Sequence, residues 1–311
     1  MTSIDLTLND GNKIPIIGLG TYQSPPGEVA AAVECALTEG GYRHIDCAYL
    51  YLNEAEVGQG LKKAFEKGVK REDIYITTKV WPTFHNRVEQ SLDESLKNLG
   101  LDYVDLFLIH WPVTLNANGN HPFRPTLPDG KCDHDQNGSL KNFWKQMEDM
   151  KKKGKTKSIG VSNFSKKVLE DFLKDVEIVP AINQIESHIL CPQLDVHEFC
   201  KSKNILIEAH TPFGSTGSPL FKNETVLKLA EKHNTTPGVI LTSYHVSSGR
   251  IVLPKSVHAN RIKENTTVIT LPKEDIETLD NIHRKEGIKR TAKPEFDVDM
   301  GYPDWDGTRD N

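Results

Sequence analysis

The order of the predicted elements constrains the fold most strongly, because strand-like and helix-like segments alternate along the chain from residue 16 onward. The predicted strands cover residues 16–22, 43–46, 74–79, 104–109, 158–162, 181–184, 205–209 and 251–253. The predicted helices cover residues 27–39, 54–66, 86–98, 139–152, 165–174, 194–202 and parts of 223–247. This alternation favours a closed (β/α)8 TIM barrel over an open doubly wound sheet. Since no Gly-Ser or Pro-rich linker interrupts it, we expect a single domain over residues 1–311.

Three segments lie outside the alternation. Residues 4–15 contain two strand-like pieces around Asp10-Gly11, a dipeptide that suits a tight turn, and they predict an N-terminal β-hairpin acting as a small lid. Residues 112–138 are rich in Asn, Pro, Gly and Asp, and a tail follows from about residue 286 to 311. Both segments are long enough to be functional loops, so we expect them to be substrate loops.

The charge pattern argues against several classes of partner. The chain carries 38 basic and 43 acidic residues, a formal net charge of -5, with both signs mixed along its length. We therefore expect no extended cationic face for nucleic acid or an anionic membrane. The chain does not open on a basic segment followed by an apolar core, and no apolar run approaches the roughly 18 residues that span a bilayer. These features favour a cytoplasmic location.

The cysteines and histidines form no recognisable disulfide or metal pattern. The five cysteines are scattered without a Cys-x-x-Cys pair, which is typical of reduced thiols. The twelve histidines include no His-x-x-x-His arrangement. The run from Asp133 to Gly138 is similar to the first half of a calcium loop, but Trp144 stands where that loop needs a bidentate acid. We expect no bound metal.

Four polar residues, Asp46, Tyr51, Lys79 and His110, stand at the C-terminal ends of predicted strands. A barrel gathers these ends at one rim, where barrel enzymes keep their chemistry. Reduction of a carbonyl needs a proton donor at the oxygen, and a phenol can serve if a neighbouring ammonium favours loss of its proton. In this interpretation Tyr51 is the acid, Lys79 supplies the charge, Asp46 holds the lysine, and a neutral His110 orients the substrate oxygen.

Each of the four residues also has an ordinary interpretation when taken singly. Lys79 would be a solvated charge, Asp46 a turn or helix cap, and His110 a core histidine with satisfied hydrogen bonds. A tyrosine in a loop, such as Tyr51, usually has no catalytic role. The joint placement of the four favours the catalytic hypothesis.

Several motifs, in order and spread almost end to end, carry a family resemblance. They are Gly18-Leu-Gly-Thr, Arg43-His-Ile-Asp46, Tyr51-x-Asn-Glu-x-Glu-x-Gly58, Thr77-Thr-Lys79-Val-Trp, Leu106-Phe-Leu-Ile-His110-Trp-Pro112, Ile159-Gly-Val-Ser-Asn-Phe164 and Leu253-Pro-Lys-Ser256. With them the chain resembles the aldo-keto reductase family, specifically its aldose-reductase-type members. The resemblance implies the catalytic tetrad Asp46, Tyr51, Lys79 and His110, with Tyr51 as general acid.

A nicotinamide cofactor would need a site other than a Rossmann fingerprint, because Gly18 and Gly20 are followed by Gln23 where that pattern has glycine. After the last predicted strand, Lys255, Ser256 and Arg261 surround the start of a helix and suit a phosphomonoester. Ordinary solvated charges at a helix start are the alternative.

The resemblance implies how the cofactor would be held. It assigns the adenosine 2′-phosphate to Lys255, Ser256 and Arg261, which favours NADPH, with NADH as a possible secondary cofactor. The adenine contacts match Glu264 and Asn265, the carboxamide contacts match Ser162, Asn163 and Gln184, and the pyrophosphate loop includes His210, Phe213 and Ser215. His210 stands where the family usually has the tyrosine that stacks on nicotinamide.

The resemblance also implies apolar walls for a substrate pocket, at Tyr22, Trp81, Trp111 and Phe123, although core packing is an alternative role for these residues. Cations in the two long loops could lie near the mouth of that pocket. They are Arg124, Lys289, Arg290 and Lys293. This motivates the hypothesis that a sugar acid such as a uronate is accepted, although solvated loop charges are the simpler interpretation.

The sequence as a whole predicts an NADPH-dependent oxidoreductase that reduces small polar aldehydes, such as aldoses, glyceraldehyde and sugar acids such as galacturonate, to alcohols. The resemblance favours a monomer whose partner is a small carbonyl substrate. One alternative is a non-catalytic barrel relative that binds nicotinamide or has a structural role. Another is a metal-dependent barrel hydrolase, whose ligands the sequence lacks.

Overall fold

The computed structural model describes residues 4–215 and 217–305 and contains the predicted alternation. Its strands are β1 (Asp5–Thr7), β2 (Lys13–Pro15), β3 (Leu19–Gly20), β4 (His44–Asp46), β5 (Tyr75–Val80), β6 (Val104–Ile109), β7 (Thr156–Ser162), β8 (Ile182–Glu186), β9 (Leu206–His210) and β10 (Ile251–Val252). Its helices are α1 (Val29–Thr38), α2 (Glu54–Glu66), α3 (Val88–Leu99), α4 (Leu140–Lys152), α5 (Lys166–Phe172), α6 (Leu194–Ser202), α7 (Glu224–Lys232), α8 (Pro237–Ser247), α9 (Ala259–Glu264), α10 (Lys273–Asp280) and α11 (Ile282–Glu286).

Strands β3 to β10 form one eight-stranded sheet in sequential order, and each adjacent pair is parallel. A parallel bridge between Ile17 and Val252 joins the two edge strands. The Gly18 N–H donates to the Val252 carbonyl at 2.9 Å, and the Val252 N–H donates to the Ile16 carbonyl at 2.9 Å. The sheet is therefore closed, and the predicted (β/α)8 barrel is confirmed.

The local sequence explains where several helices begin. Ser139, Ser165, Asn223 and Thr236 precede α4, α5, α7 and α8, and the side chain of each accepts a hydrogen bond from a backbone N–H in the first turn. These residue types are favoured at helix starts because the first N–H groups lack intrahelical partners. Two helices of the C-terminal region, α10 and α11, were not predicted from the sequence. Among the described residues, no helix is both long and apolar enough to cross a membrane.

The N-terminal hairpin exists as predicted, with β1 and β2 antiparallel and Leu6 opposite Ile14. It closes the end of the barrel where the strands begin. Ile14 and Leu8 are buried there against Tyr75 and Ile251, each the first residue of its strand. The hairpin is thus a lid on the end opposite the strand C-termini.

The long loop at 112–138 and the C-terminal tail pack together at the other rim. His134 Nε2 lies 2.6 Å from the Phe296 carbonyl, and Arg124 Nε donates to the Glu295 carbonyl at 2.9 Å. Trp81 and Trp111 are buried in an apolar cluster that includes residues from both segments. These contacts place the two predicted substrate loops over the C-terminal ends of the strands.

Candidate active site

The four residues predicted as a tetrad lie together at the C-terminal rim of the barrel. Lys79 on β5 is fully buried, and its Nζ lies 2.8 Å from both carboxylate oxygens of Asp46 at the end of β4. Nζ also donates to the Cys47 carbonyl at 2.8 Å and to the Tyr51 hydroxyl oxygen at 3.0 Å. An ammonium has three N–H groups and no acceptor. The phenol oxygen is therefore the acceptor, and its own hydrogen is left to point elsewhere.

His110 follows β6 directly and faces the same point, with its ring centroid 5.8 Å from that of Tyr51. Burial, together with the nearby charge of Lys79, holds the pKa of His110 well below its usual range, so the ring is neutral at physiological pH. A neutral imidazole can donate a hydrogen bond to a substrate oxygen without carrying charge.

The pKa of Tyr51 is raised above its ordinary value, because burial disfavours the phenolate more strongly than the Lys79 charge favours it. The sequence predicted only the effect of the lysine on this phenol. Lys79 does act in the expected direction and lowers the pKa of the phenol, but nearby Asp46 opposes it. The phenol is protonated at neutral pH, which is the form that can donate a proton.

The three residues predicted to hold a carboxamide form a buried polar network beside the tetrad. The Ser162 hydroxyl donates to the Gln184 carbonyl at 2.9 Å and accepts from Asn163 Nδ2 at 3.1 Å. Asn163 Nδ2 also donates to the His110 carbonyl at 3.0 Å, and Gln184 Nε2 donates to Asp46 Oδ1 at 2.9 Å. Because both amide groups are held by protein partners, their orientation is fixed before any ligand binds.

One cavity of about 1080 Å³ runs across this rim. Among the predicted site residues it is lined by Tyr22, Asp46, Tyr51, Trp81, His110, Trp111, Asn163, Gln184, His210, Phe213, Ser215, Lys255, Ser256, Arg261, Glu264 and Asn265. Lys79 and Ser162 lie behind this lining and are fully buried. Phe123 is outside the lining, and its carbonyl accepts from Trp81 Nε1 at 2.7 Å. The cavity thus connects the tetrad with the predicted phosphate site.

The far end of the cavity is the start of α9. Lys255 Nζ donates to the Gln23 carbonyl at 3.1 Å, and within residues 4–215 and 217–305 neither Lys255 nor Arg261 is paired with a carboxylate. The Ser256 hydroxyl accepts from the His258 N–H at 3.1 Å. Glu264 accepts from the Thr236 hydroxyl at 2.8 Å. Two cations without carboxylate partners leave this end suited to an anion.

The ring of His210, at the end of β9, lines the cavity and is held by two protein partners. Its Nε2 is 3.0 Å from Asn163 Oδ1, and its Nδ1 is 2.9 Å from the Thr211 hydroxyl. Burial lowers the pKa of His210 to about 4, so the ring is neutral. The imidazole thus orients the Asn163 amide. Stacking of this ring on nicotinamide stays a prediction.

Two of the four cations considered for a sugar acid are engaged by acidic residues of the tail. Arg290 donates from Nε and a terminal nitrogen to Asp304 at 2.9 Å each, and Arg124 lies 3.4 Å from Asp297. Neither arginine lines the cavity, whereas Lys293 does. The geometry therefore favours Lys293 as the cation that meets a substrate.

Two structural features of the site were not predicted. Beside the predicted Lys293, the tail residues Thr291, Ala292 and Pro294 line the cavity, and the Thr291 hydroxyl and N–H both donate to Glu186 at the end of β8, at 2.7 and 2.8 Å. Glu208 on β9 is fully buried and accepts from Gln184 Nε2 at 2.6 Å. The signal for Glu208 was an acid inside an apolar strand, where a charge is unexpected.

This arrangement is that of a barrel enzyme with a buried lysine in contact with a half-buried tyrosine at the rim of its strands. The chain belongs to the aldo/keto reductase family, whose model matches residues 16–284. It is 52% identical to a D-galacturonate reductase of Hypocrea jecorina over 98% of this chain and 99% of that protein. It is 47% identical to glycerol 2-dehydrogenase (NADP(+)) of Saccharomyces cerevisiae over 94% of each. The solved aldose reductase of Schistosoma japonicum has a TM-score of 0.85 and 42% identity, covering 93% of this chain and 94% of that one. The predicted class, an oxidoreductase of this family, is confirmed.

Proposed function

We propose that this protein is an NADPH-dependent reductase that converts the aldehyde group of small polar carbonyl compounds to an alcohol. The substrates we expect are aldoses, glyceraldehyde and sugar acids such as galacturonate. The observation that carries the proposal is the 3.0 Å contact of Lys79 Nζ with the Tyr51 hydroxyl on the wall of the cavity. The names of the relatives, a D-galacturonate reductase and an NADP(+)-dependent glycerol dehydrogenase, support it.

Each of the four tetrad residues has its own role in this proposal. The nicotinamide, when bound, supplies a hydride to the carbonyl carbon. Tyr51 donates its proton to the carbonyl oxygen as negative charge develops there. Lys79 stabilises the phenolate that results, Asp46 holds the ammonium in place, and neutral His110 orients the substrate oxygen.

The residues at the start of α9 fit a phosphorylated cofactor. Lys255 and Arg261 line the cavity and pair with no carboxylate in the part of the chain that the structure describes, and Ser256 adds a hydroxyl. A guanidinium and an ammonium favour a phosphomonoester over the ribose hydroxyl of NADH. We therefore expect NADPH to bind more tightly, with NADH as a secondary cofactor. Gln184, whose side-chain N–H groups are used by Asp46 and Glu208, can offer its amide oxygen to the carboxamide.

Replacement of the acid tests the proposal directly. In Tyr51→Phe, we expect aldehyde reduction to fall by at least about a hundredfold, because general acid catalysis contributes on that order. NADPH binding, followed by quenching of protein fluorescence, is expected to stay within about threefold, since the phenol oxygen is not a binding group. A variant that reduces glyceraldehyde at the wild-type rate would refute the assignment. A wild-type protein that binds NADPH but reduces no aldehyde would favour the non-catalytic alternative.

The sugar-acid part of the proposal rests on Lys293. This ammonium lines the cavity, and a carboxylate entering beside it gains a charge-assisted hydrogen bond. We expect Lys293→Met to raise the KM for galacturonate about tenfold while leaving that for glyceraldehyde unchanged. Arg124→Met is the matched control, because Arg124 pairs with Asp297 of the tail and does not line the cavity. Equal effects of Lys293→Met on both substrates would remove Lys293 from this role.

The remaining expectations are that one domain comprises residues 1–311 and that the protein acts as a monomer in the cytoplasm. Free cysteines, such as the buried Cys47 and Cys200, suit a reducing compartment. Within the described part of the chain, no group of three or more His, Cys, Asp or Glu side chains is placed to hold a metal ion. Size-exclusion chromatography with light scattering tests the oligomeric state, since a monomer gives 34.9 kDa.

A further inference from the structure

A second carboxyl group lies directly behind the tetrad. Glu208 on β9 is fully buried, and Gln184 Nε2 bridges it to the tetrad, because this one nitrogen donates to Glu208 Oε2 at 2.6 Å and to Asp46 Oδ1 at 2.9 Å. The other oxygen of Glu208, Oε1, is buried and has no hydrogen-bond partner among the described residues. It lies 3.6 Å from His44 Nε2.

These contacts do not suit two ionised carboxylates. Lys79 is the cation of the group, and it contacts Asp46 through both oxygens. An ionised Glu208 would have one buried oxygen without a donor among the described residues, which is costly. His44 does not provide a counter-charge, because burial lowers its pKa to about 3 and leaves it neutral.

We propose that Glu208 is a positioning residue for the reduction, protonated in the active enzyme, so that Asp46 is the anion in direct contact with Lys79 of the Lys79–Tyr51 pair. This inference rests on the proposed function. Neutral Glu208 still accepts from Gln184 through Oε2, which fixes the amide that also holds Asp46. In this form the acidic hydrogen lies on Oε1, the oxygen that no described donor reaches, and His44 Nε2, 3.6 Å away, is itself 3.0 Å from the Thr77 hydroxyl.

The groups that face Glu208 act on its charge in both directions. They are His44 and Asp46 on β4, Tyr75 and Lys79 on β5, and Gln184 on β8. Burial, followed by the charge of Asp46, raises the pKa of Glu208 to about 8, although Gln184 and Lys79 act in the opposite direction. Loss of this proton adds a second negative charge behind Lys79. That charge raises the pKa of Tyr51 further and weakens it as an acid.

The first test is the pH dependence of the chemical step. The single-turnover rate of NADPH oxidation by saturating glyceraldehyde is measured from pH 6.5 to 9.5 for the wild type and for Glu208→Gln, which is neutral at every pH. We expect the ratio of variant to wild-type rate to rise at least fivefold across this range, because the wild type alone acquires the extra charge. A ratio that stays constant with pH overturns the proposal, since a purely structural role affects all pH values alike.

Infrared spectroscopy detects the proton on the Glu208 carboxyl directly and does not depend on enzyme activity. Glu54 is another buried carboxyl, and burial raises its pKa, so it could give a band of its own. Glu54→Gln removes that band. In that protein we expect a protonated-carboxyl band at pH 6.5 that is lost by pH 9.5. Absence of the band at pH 6.5 overturns the proposal even if Glu208→Gln does not fold. A titrating band in an enzyme without reductase activity would instead contradict the proposed function and leave the protonation of Glu208 standing.

Discussion

Removal of the Lys79 ammonium should destabilise the fold as well as stop the reaction. In Lys79→Met the side chain keeps its length but loses its charge. The Asp46 carboxylate then loses its contacts with Lys79 and keeps its hydrogen bond from the Gln184 amide at 2.9 Å. Both oxygens of Asp46 lose an ammonium at 2.8 Å in a site where Lys79 is fully buried. Breaking a buried pair by removing one partner costs about 3–5 kcal/mol, because the remaining charge is left uncompensated.

The magnitude can be measured by urea unfolding of the wild type, Lys79→Met, Asp46→Asn and the double variant at pH 7. We expect Lys79→Met to lose about 3–5 kcal/mol and the double variant to recover at least half of this loss, because the uncompensated carboxylate is gone. The m-value should be unchanged, which shows that the extent of unfolding is the same. A loss below about 1 kcal/mol in Lys79→Met, or a double variant no more stable than it, would refute the idea that the ion pair is electrostatically buried.

Two further predictions concern the cofactor and the histidine. Arg261→Ala should weaken NADPH binding about tenfold and NADH binding by less than twofold in fluorescence titrations. The control is Lys263→Ala on the same helix, which should change neither affinity because Lys263 pairs with Glu39. Equal losses for both cofactors would contradict a contact between Arg261 and the phosphate of NADPH. The His110 ring should show no NMR titration between pH 6 and 8, because its pKa is held well below the ordinary histidine value of about 6.5. The stability that the neutral ring contributes is therefore present above about pH 6.5 and is lost as the pH falls toward the folded pKa. A His110 midpoint near 6.5 would contradict this.

Sequence alone could locate the tetrad because barrel topology converts strand ends into neighbours. Asp46 is the last residue of β4, Lys79 lies one residue before the end of β5, and His110 follows β6. The first two are 33 residues apart in the chain, yet the Nζ of Lys79 reaches both oxygens of Asp46 at 2.8 Å. Any closed parallel barrel with these strand bounds brings the three side chains to the same rim. Prediction of the fold was therefore enough to predict that these three side chains are neighbours.

The partners of the loop cations could not be predicted in the same way. Arg124 and Asp297 are 173 residues apart, and both lie in segments without a repeating pattern. Nothing in the order of strands fixes how such a loop and tail meet, so the sequence could not show that the arginine is engaged by the tail. For the same reason the sequence could not show that the pKa of Tyr51 is raised overall. That shift depends on how deeply the rim is covered, and residues far away in sequence provide the cover.

The hydrogen bonds of Lys79 and the burial of Tyr51 together leave the phenol able to donate its proton at neutral pH. Its ammonium uses its N–H groups on Asp46, the Cys47 carbonyl and the Tyr51 oxygen, so the phenol hydrogen is directed away from the lysine. Because burial raises the pKa of Tyr51, that hydrogen is present at pH 7, and a carbonyl oxygen can receive it. Oxidation of an alcohol would need the phenolate as base, and burial disfavours that form. The burial of Tyr51 therefore keeps the phenol in the acid form that carbonyl reduction needs.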